Sequence, residues 1–271
     1  MKRWINKTPS RSLAIVLGIL PFILIMALYQ IGSDARKAEN PNDKLLPSVG
    51  QFYDAIDRLA FTPSKRTGEY LFWQDTASSL KRLLMGVACA AAIALVLGLI
   101  TGAIPLIGAN LNPIITAISL IPPMAVLPLL FIVFGLGELS KVMLIIVGIT
   151  PFLIRDLYQK TKDIPQEQLV KAQTLGANSF QLINRVLLPQ ILPRLLDALR
   201  LSLGTAWLFL IAAEAIAATD GLGYRIFLVR RYLSMDIILP YVMWITFLAF
   251  LLDWLLVKAS KKAFPWYHSA K

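Results

Sequence analysis

Charge is scarce in this 271-residue chain. Charged residues make up 16% and apolar residues 57%, where soluble domains run at roughly 25% and 45–50%. Cys89 is the one cysteine, so no intrachain disulfide can form, and its Ala-rich apolar surroundings do not favour a thiolate. His268, the one histidine, lies in the C-terminal tail. A histidine metal site or a Ser–His dyad inside the apolar segments is therefore excluded. No G-x-x-x-x-G-K-[ST] stretch occurs either, so a Walker loop does not hold ATP here. The sequence offers no catalytic residue, no metal site and no cofactor site, and any energy source must be a partner or an ion gradient.

What the chain has instead is long apolar runs. A helix of about 18 or more residues nearly free of charge crosses the hydrocarbon of a bilayer. Six such spans are expected: Leu13–Ile31, Leu83–Ile104, Ile114–Phe134, Leu139–Leu157, Leu195–Ala218 and Ile237–Val257. The fold class is an all-α membrane protein. The first run follows a basic head, but its 19 apolar residues and the lack of an A-x-A-like site favour a retained span over a cleaved signal peptide. The formal charge of +11 fits anionic lipid headgroups, and no nucleic-acid partner is expected. Lys2, Arg3, Lys7 and Arg11 precede the first span; Lys258, Lys261, Lys262 and Lys271 close the chain; and Arg155, Lys160, Lys162, Lys171, Arg185 and Arg194 lie between spans four and five. Six spans put these three segments on one side, and the excess of Lys and Arg makes that side cytoplasmic, with both termini there.

The outer loop after the first span contains KLLPSVGQFYDAIDRLAF, in which Val49, Phe52, Ile56, Leu59 and Ala60 recur at helical spacing. An amphipathic helix there would lie on the membrane surface or against the spans. The third span carries Pro122, Pro123 and Pro128. Proline removes an amide and clashes with the preceding turn, and the freed carbonyls need partners or a wet cavity. A bent helix lining a route and a bend made for packing are both open. In the fifth span, Asp197 and Arg200 are spaced for a local ion pair. Glu214 lies about one turn from the outer end, where it either borders a route or protomer contact or pairs with a cation such as Arg225 or Arg231. Pro122, Pro123, Met124, Trp207 and Glu214 are the pathway candidates.

Between spans four and five the chain turns polar. Pro165 suits a first helical turn, QEQLVKAQTL is made of helix formers, and Gly176 suits the left-handed position after a helix. Asn178 or Ser179 can cap a second short helix, FQLINRVLL, which Pro189 is expected to end. Leu169, Ala172, Leu175, Phe180, Ile183, Val186 and Leu187 give this two-helix knob an apolar side suited to a groove on another protein.

The arrangement Ala172-x-x-x-Gly176, then Val186-x-Leu188-Pro189, resembles the EAA signature of permease subunits in ATP-binding-cassette importers: EAA, three residues, Gly, nine residues, I-x-L-P. LLPSVG, SLIPPMAVLPLLFIVFGLGELSK, DGLGY and the closing FPW look like the nitrate/sulfonate/taurine branch of that family. The resemblance implies a type I importer permease fold. Residues 1–75 would form an N-terminal span and extracytoplasmic loop, and residues 76–271 a core with a coupling loop at about 158–190. It implies a bacterial inner-membrane location, a homodimer, ATPase subunits that use ATP and Mg beneath it, and a substrate-binding protein above. It also implies a small anion such as nitrate, a sulfonate or taurine as cargo, and no enzyme activity in this subunit. The coupling residues would be Glu167, Val170, Lys171, Ala172, Gly176, Phe180, Val186, Leu188 and Pro189. Val170 and Lys171 depart from the signature's Glu-Ala, and Glu167, one turn earlier, can present the acid on the same face. A stand-alone carrier or channel is the rival reading; it would need intramembrane charges for coupling and would not need the knob.

Overall fold

The computed structural model describes residues 9–40, 43–64 and 68–269. Lys2, Arg3, Lys7 and Lys271 lie outside the described residues. The described residues form helices and connecting turns without a strand. Helix α1 is Arg11–Glu39, started by the Ser10 hydroxyl, which accepts from the Leu13 amide at 3.4 Å. Its apolar side chains are exposed on all sides, and Ser33 is its one buried residue. Such a helix is stable only with hydrocarbon or protein around it. The expected surface helix follows as α2, Val49–Ile56, continued by a wide π turn, Asp57–Phe61. Gln51 opens α2 by accepting from the Ser48 amide at 2.9 Å. Ala55, Leu59 and Ala60 are buried, so this segment packs on the bundle.

Helices α3 (Leu71–Ala103) and α6 (Glu138–Lys162) are the centre of the fold. A stripe of small residues runs down α3 through Gly86, Ala90, Ala94, Gly98 and Gly102. A Cβ added to Gly86, Gly98 or Gly102 would come within 2.8, 2.7 and 2.5 Å of Ile145, Leu157 and Thr161 respectively. The partner lies 59 positions later in each case, so the two helices run parallel, in register and backbone-close. Small residues allow that approach, and close packing is what joins helices in a membrane.

A parallel pair needs a return crossing between its members, and α4 (Pro105–Ser119) with α5 (Pro123–Phe134) supplies it. This corrects the expected single span Ile114–Phe134. The helix begins nine residues earlier, and it breaks at Leu120–Pro122, where the two halves meet at 95°. Pro122 is extended, as a residue preceding another proline must be. Arg155 of α6 donates to the Ser119 hydroxyl beside the break at 2.9 Å.

The chain continues through two short helices, described below, into α9 (Leu188–Ala217), then α10 (Leu222–Arg230), α11 (Met235–Ala263) and the terminal α12 (Pro265–Ser269). Among the described residues four helices are long and apolar enough to cross a membrane, or five when the bent pair is taken as one span. The fourth expected span, Leu139–Leu157, corresponds to α6, much of which is enclosed by α3, α5 and α9. Asp197 and Arg200 do approach each other, at 3.7 Å, but Arg200 lies closer to Asp253 of α11, at 2.8 Å. Asp253 therefore ties two spans together instead of anchoring one at the headgroups.

Candidate functional site: an exposed knob and a buried charge cluster

At one end of the bundle, α6 leads through Ile164 into α7, Gln166–Thr174. Pro165 is its cap residue, and Gly176 closes it with φ +86°. The Ala177 amide returns to the Ala172 carbonyl at 3.0 Å, and the Gly176 amide to Gln173 at 2.9 Å. Only glycine takes this left-handed position without penalty. Asn178 then starts α8, Ser179–Gln181, in a reciprocal cap: its side chain accepts from the Gln181 amide at 2.9 Å, and the Gln181 side chain accepts from the Asn178 amide at 3.0 Å.

Pro189 does not end the second helix, contrary to the expectation. A π turn, Leu182–Leu187, carries the backbone from α8 straight into α9, and Pro189 sits in the first turn of α9. Proline lacks the amide that would close an ordinary turn, and a widened turn accommodates its ring. Ser179 to Ala217 is thus one helix of 39 residues.

The knob's apolar residues divide into two sets. Ile164 and Leu187 are buried, and Leu169, Ile183 and Leu188 pack against the core. Arg194 donates to the Lys160 carbonyl at 2.6 Å and pins the start of α9 to the end of α6. The second set faces outward: Val170, Leu175 and Phe180 are 55%, 88% and 74% exposed. Glu167 and Lys171 are exposed beside Val170, Ala172 and Val186 are half-buried, and α7 has no buried residue at all. The nine expected coupling residues therefore cluster at one end, on or beside one surface.

The pathway candidates do not come together. Pro122 and Met124 are exposed at the bend and Pro123 is half-buried there. Trp207 is buried, and among the described residues its indole N–H has no hydrogen-bond partner. Glu214 is fully buried at the end of the bundle opposite the knob, within a network of charges.

That network centres on Arg82, 3% exposed. Its guanidinium donates to Glu214 at 2.8 Å, to Glu138 at 2.5 and 2.7 Å, and to Asp220 at 2.5 Å. Glu214 also accepts from the Ser79 hydroxyl at 2.8 Å and the Gly223 amide at 2.9 Å. Asp75, equally buried, accepts from Arg225 at 2.8 Å, from the Gly221 amide at 3.0 Å and from the Tyr241 hydroxyl at 3.1 Å. Lys141 completes the set by donating to Glu138 at 2.7 Å. Helices α3, α6, α9, α10 and α11 are all joined here. Burial opposes ionisation of Asp220 in the α9–α10 turn. Even so, Arg82 and the Ser78 hydroxyl hold its carboxyl below the usual range. Buried charges persist only when paired in this way.

Sequence reasoning missed this cluster. Glu214 pairs with Arg82, not with Arg225 or Arg231, and Arg225 belongs to Asp75. Asp75, Ser79 and Arg82 lie just before the second expected span, Leu83–Ile104. Their spacing of four and three continues directly into the small-residue stripe from Gly86 to Gly102. A face that runs polar and then small, at helical period, was the available signal.

The described residues form a polytopic helical bundle with a buried charge cluster at one end and an exposed knob at the other. Residues 94–264 match the family of binding-protein-dependent transport system inner membrane components, and the chain belongs to that family. Over 195 residues it is 36% identical to the taurine transport system permease protein TauC of Escherichia coli (strain K12), covering 72% of this chain and 71% of that protein. It is 29% identical to the bicarbonate transport system permease protein CmpB of Synechococcus elongatus, covering 93% and 89%. A chain from an inward-facing conformation of the MetNI methionine ABC transporter superposes with a TM-score of 0.64 at 20% identity, covering 73% of this chain and 98% of that one. The fold is thus that of an importer permease, and the chain is an ABC importer permease subunit rather than an enzyme.

Proposed function

We propose that this subunit pairs with a second copy of itself, receives a small sulfonate or inorganic anion from a binding protein, and is driven by ATPase subunits docked on α7 and α8. The observation that carries the docking is the outward set Val170, Leu175 and Phe180 on a helix pair with no buried residue in α7. Burying such side chains is worth about 1.5–3 kcal/mol each, so they mark a surface completed by a partner. In this reading the knob side is cytoplasmic, and both termini lie there. The charge cluster and α10 then lie on the outer side. Closure of the ATPase pair on ATP and Mg moves the knob, and the spans follow because each end state holds it differently. The cargo class rests on likeness to the taurine and bicarbonate permeases.

Phe180→Glu tests the docking. The variant is expected to unfold at the same temperature as the parent and to lose co-purifying ATPase by more than about tenfold, the effect of removing one buried aromatic anchor. Undiminished ATPase binding overturns the docking. Uptake by the chain without any ATPase subunit would favour a carrier that works alone.

A further inference from the structure

A groove of about 650 Å³ lies between α1 and the bundle, on the half remote from the knob. Met26 and Tyr29 of α1 form one wall, and Trp73, Met243, Trp244 and Phe247 of α3 and α11 the other. The segment of α2 and its π turn covers the end of the groove with Phe52, Ile56 and Phe61. Helix α1 is held beside the groove by its remote part alone: Tyr29 donates to the Pro47 carbonyl at 2.7 Å and stacks on Phe52, and Ser33 donates to the Leu46 carbonyl at 2.9 Å.

Three of the wall's polar groups are already taken. The Trp73 indole donates to the Ala60 carbonyl at 3.1 Å, the Trp244 indole to the Thr76 hydroxyl at 3.0 Å, and the Tyr29 hydroxyl to Pro47. Apart from the Tyr53 hydroxyl the lining therefore presents carbon, and a polar solute finds little to pair with there. A gap between two membrane-spanning helices opens sideways to hydrocarbon, and in a bilayer an apolar gap of this size does not stay empty. The amphipathic α2 segment at its end carries the exposed Asp54, Asp57 and Arg58, charges of the kind that sit at headgroup level.

We propose that this groove is a binding site for one acyl chain of a phospholipid from the leaflet on the side away from the knob. The lipid wedges α1 against α11 and completes a wall that the protein alone leaves open. The site needs only a membrane and goes beyond the transport reading, so it stands or falls independently of it.

The test uses the purified full transporter complex. Native mass spectrometry after detergent exchange is expected to show one phospholipid retained per permease chain. Filling the groove with Leu239→Phe and Met243→Phe should lower that retention by about tenfold or more, as excluding two methylenes would. Unchanged thermal unfolding will show that the variant is intact. Independently, a phospholipid brominated at mid-chain, titrated into the parent complex in detergent, should quench tryptophan fluorescence saturably at one lipid per chain. Trp73→Phe with Trp244→Phe should remove that saturable component. Retention equal in parent and filled variant, or quenching that rises without saturation as annular lipid gives, overturns the site. So does a disulfide between two chains carrying Met243→Cys in a Cys89→Ala background, because a second copy would then fill the groove.

Discussion

The two ends of the bundle solve opposite problems. At the remote end, Arg82, Glu138, Glu214, Asp220, Asp75 and Arg225 satisfy one another within the chain. At the knob end, Leu175 and Phe180 stand in the open with nothing of their own chain over them. One end is complete without a partner and the other is not. A charge buried in a membrane protein must be answered internally, because lipid cannot answer it. An apolar side chain outside the membrane is answered cheaply by whatever protein arrives. The lesson is that an ionisable residue inside a span can be answered by its own chain: Glu214 accepts from Arg82 and Ser79 of α3 and from the Gly223 amide of α10.

The strongest way to break the contrast is Arg82→Met. It strips Glu214, Glu138 and Asp220 of their shared cation, and a loss of roughly 3–5 kcal/mol is expected, since an orphaned buried charge costs that much. Thermal unfolding in detergent measures it. Adding Glu214→Gln should recover part of the loss; no recovery would mean that the pair is not coupled. Next is Gly98→Val, which places carbon 2.7 Å from the Leu157 Cβ and should cost about 1–3 kcal/mol by forcing α3 from α6. Cross-linking yield between cysteines placed along the two helices would report the separation. Gly176→Ala acts at the other end. A side chain at φ +86° costs about 1–2 kcal/mol, but only within the knob, so ATP-driven uptake should fall while global unfolding barely shifts. Smallest of all is Val170→Glu, which restores the acid of the family signature on an exposed site. Stability should change by less than about 0.5 kcal/mol. If ATPase coupling is lost as well, the partner groove is matched to this variant loop and not to shape alone.

The same contrast explains what could be read from the sequence. The spans were legible because hydrocarbon thickness fixes a length and forbids charge, both visible in a linear string. The knob was legible because glycine, asparagine and proline act locally, and Gly176 and Asn178 behave as their chemistry dictates. Pro189 misled because the π turn that admits it depends on Leu187 and Ile191 being gripped by the core. The broken return of α4 and α5 was half legible: the prolines announced a bend, but 95° is set by what α6 and α9 leave room for. The charge cluster was the least legible part. Arg82 and Glu214 are 132 positions apart, and Asp75 looks like loop until its partners on α10 and α11 are known.

The long helix from Ser179 to Ala217 has a mechanical consequence. At about 1.5 Å per residue, its 39 residues span ~58 Å, with Phe180 one residue from the near tip and Glu214 three from the far one. The two contrasted ends therefore lie on one continuous helix. Between them lie the π turn, Pro189 and Pro193, the places where such a helix can bend, so how much of a twist at Phe180 reaches the Arg82–Glu214 pair depends on how tightly the core grips Leu187 and Ile191.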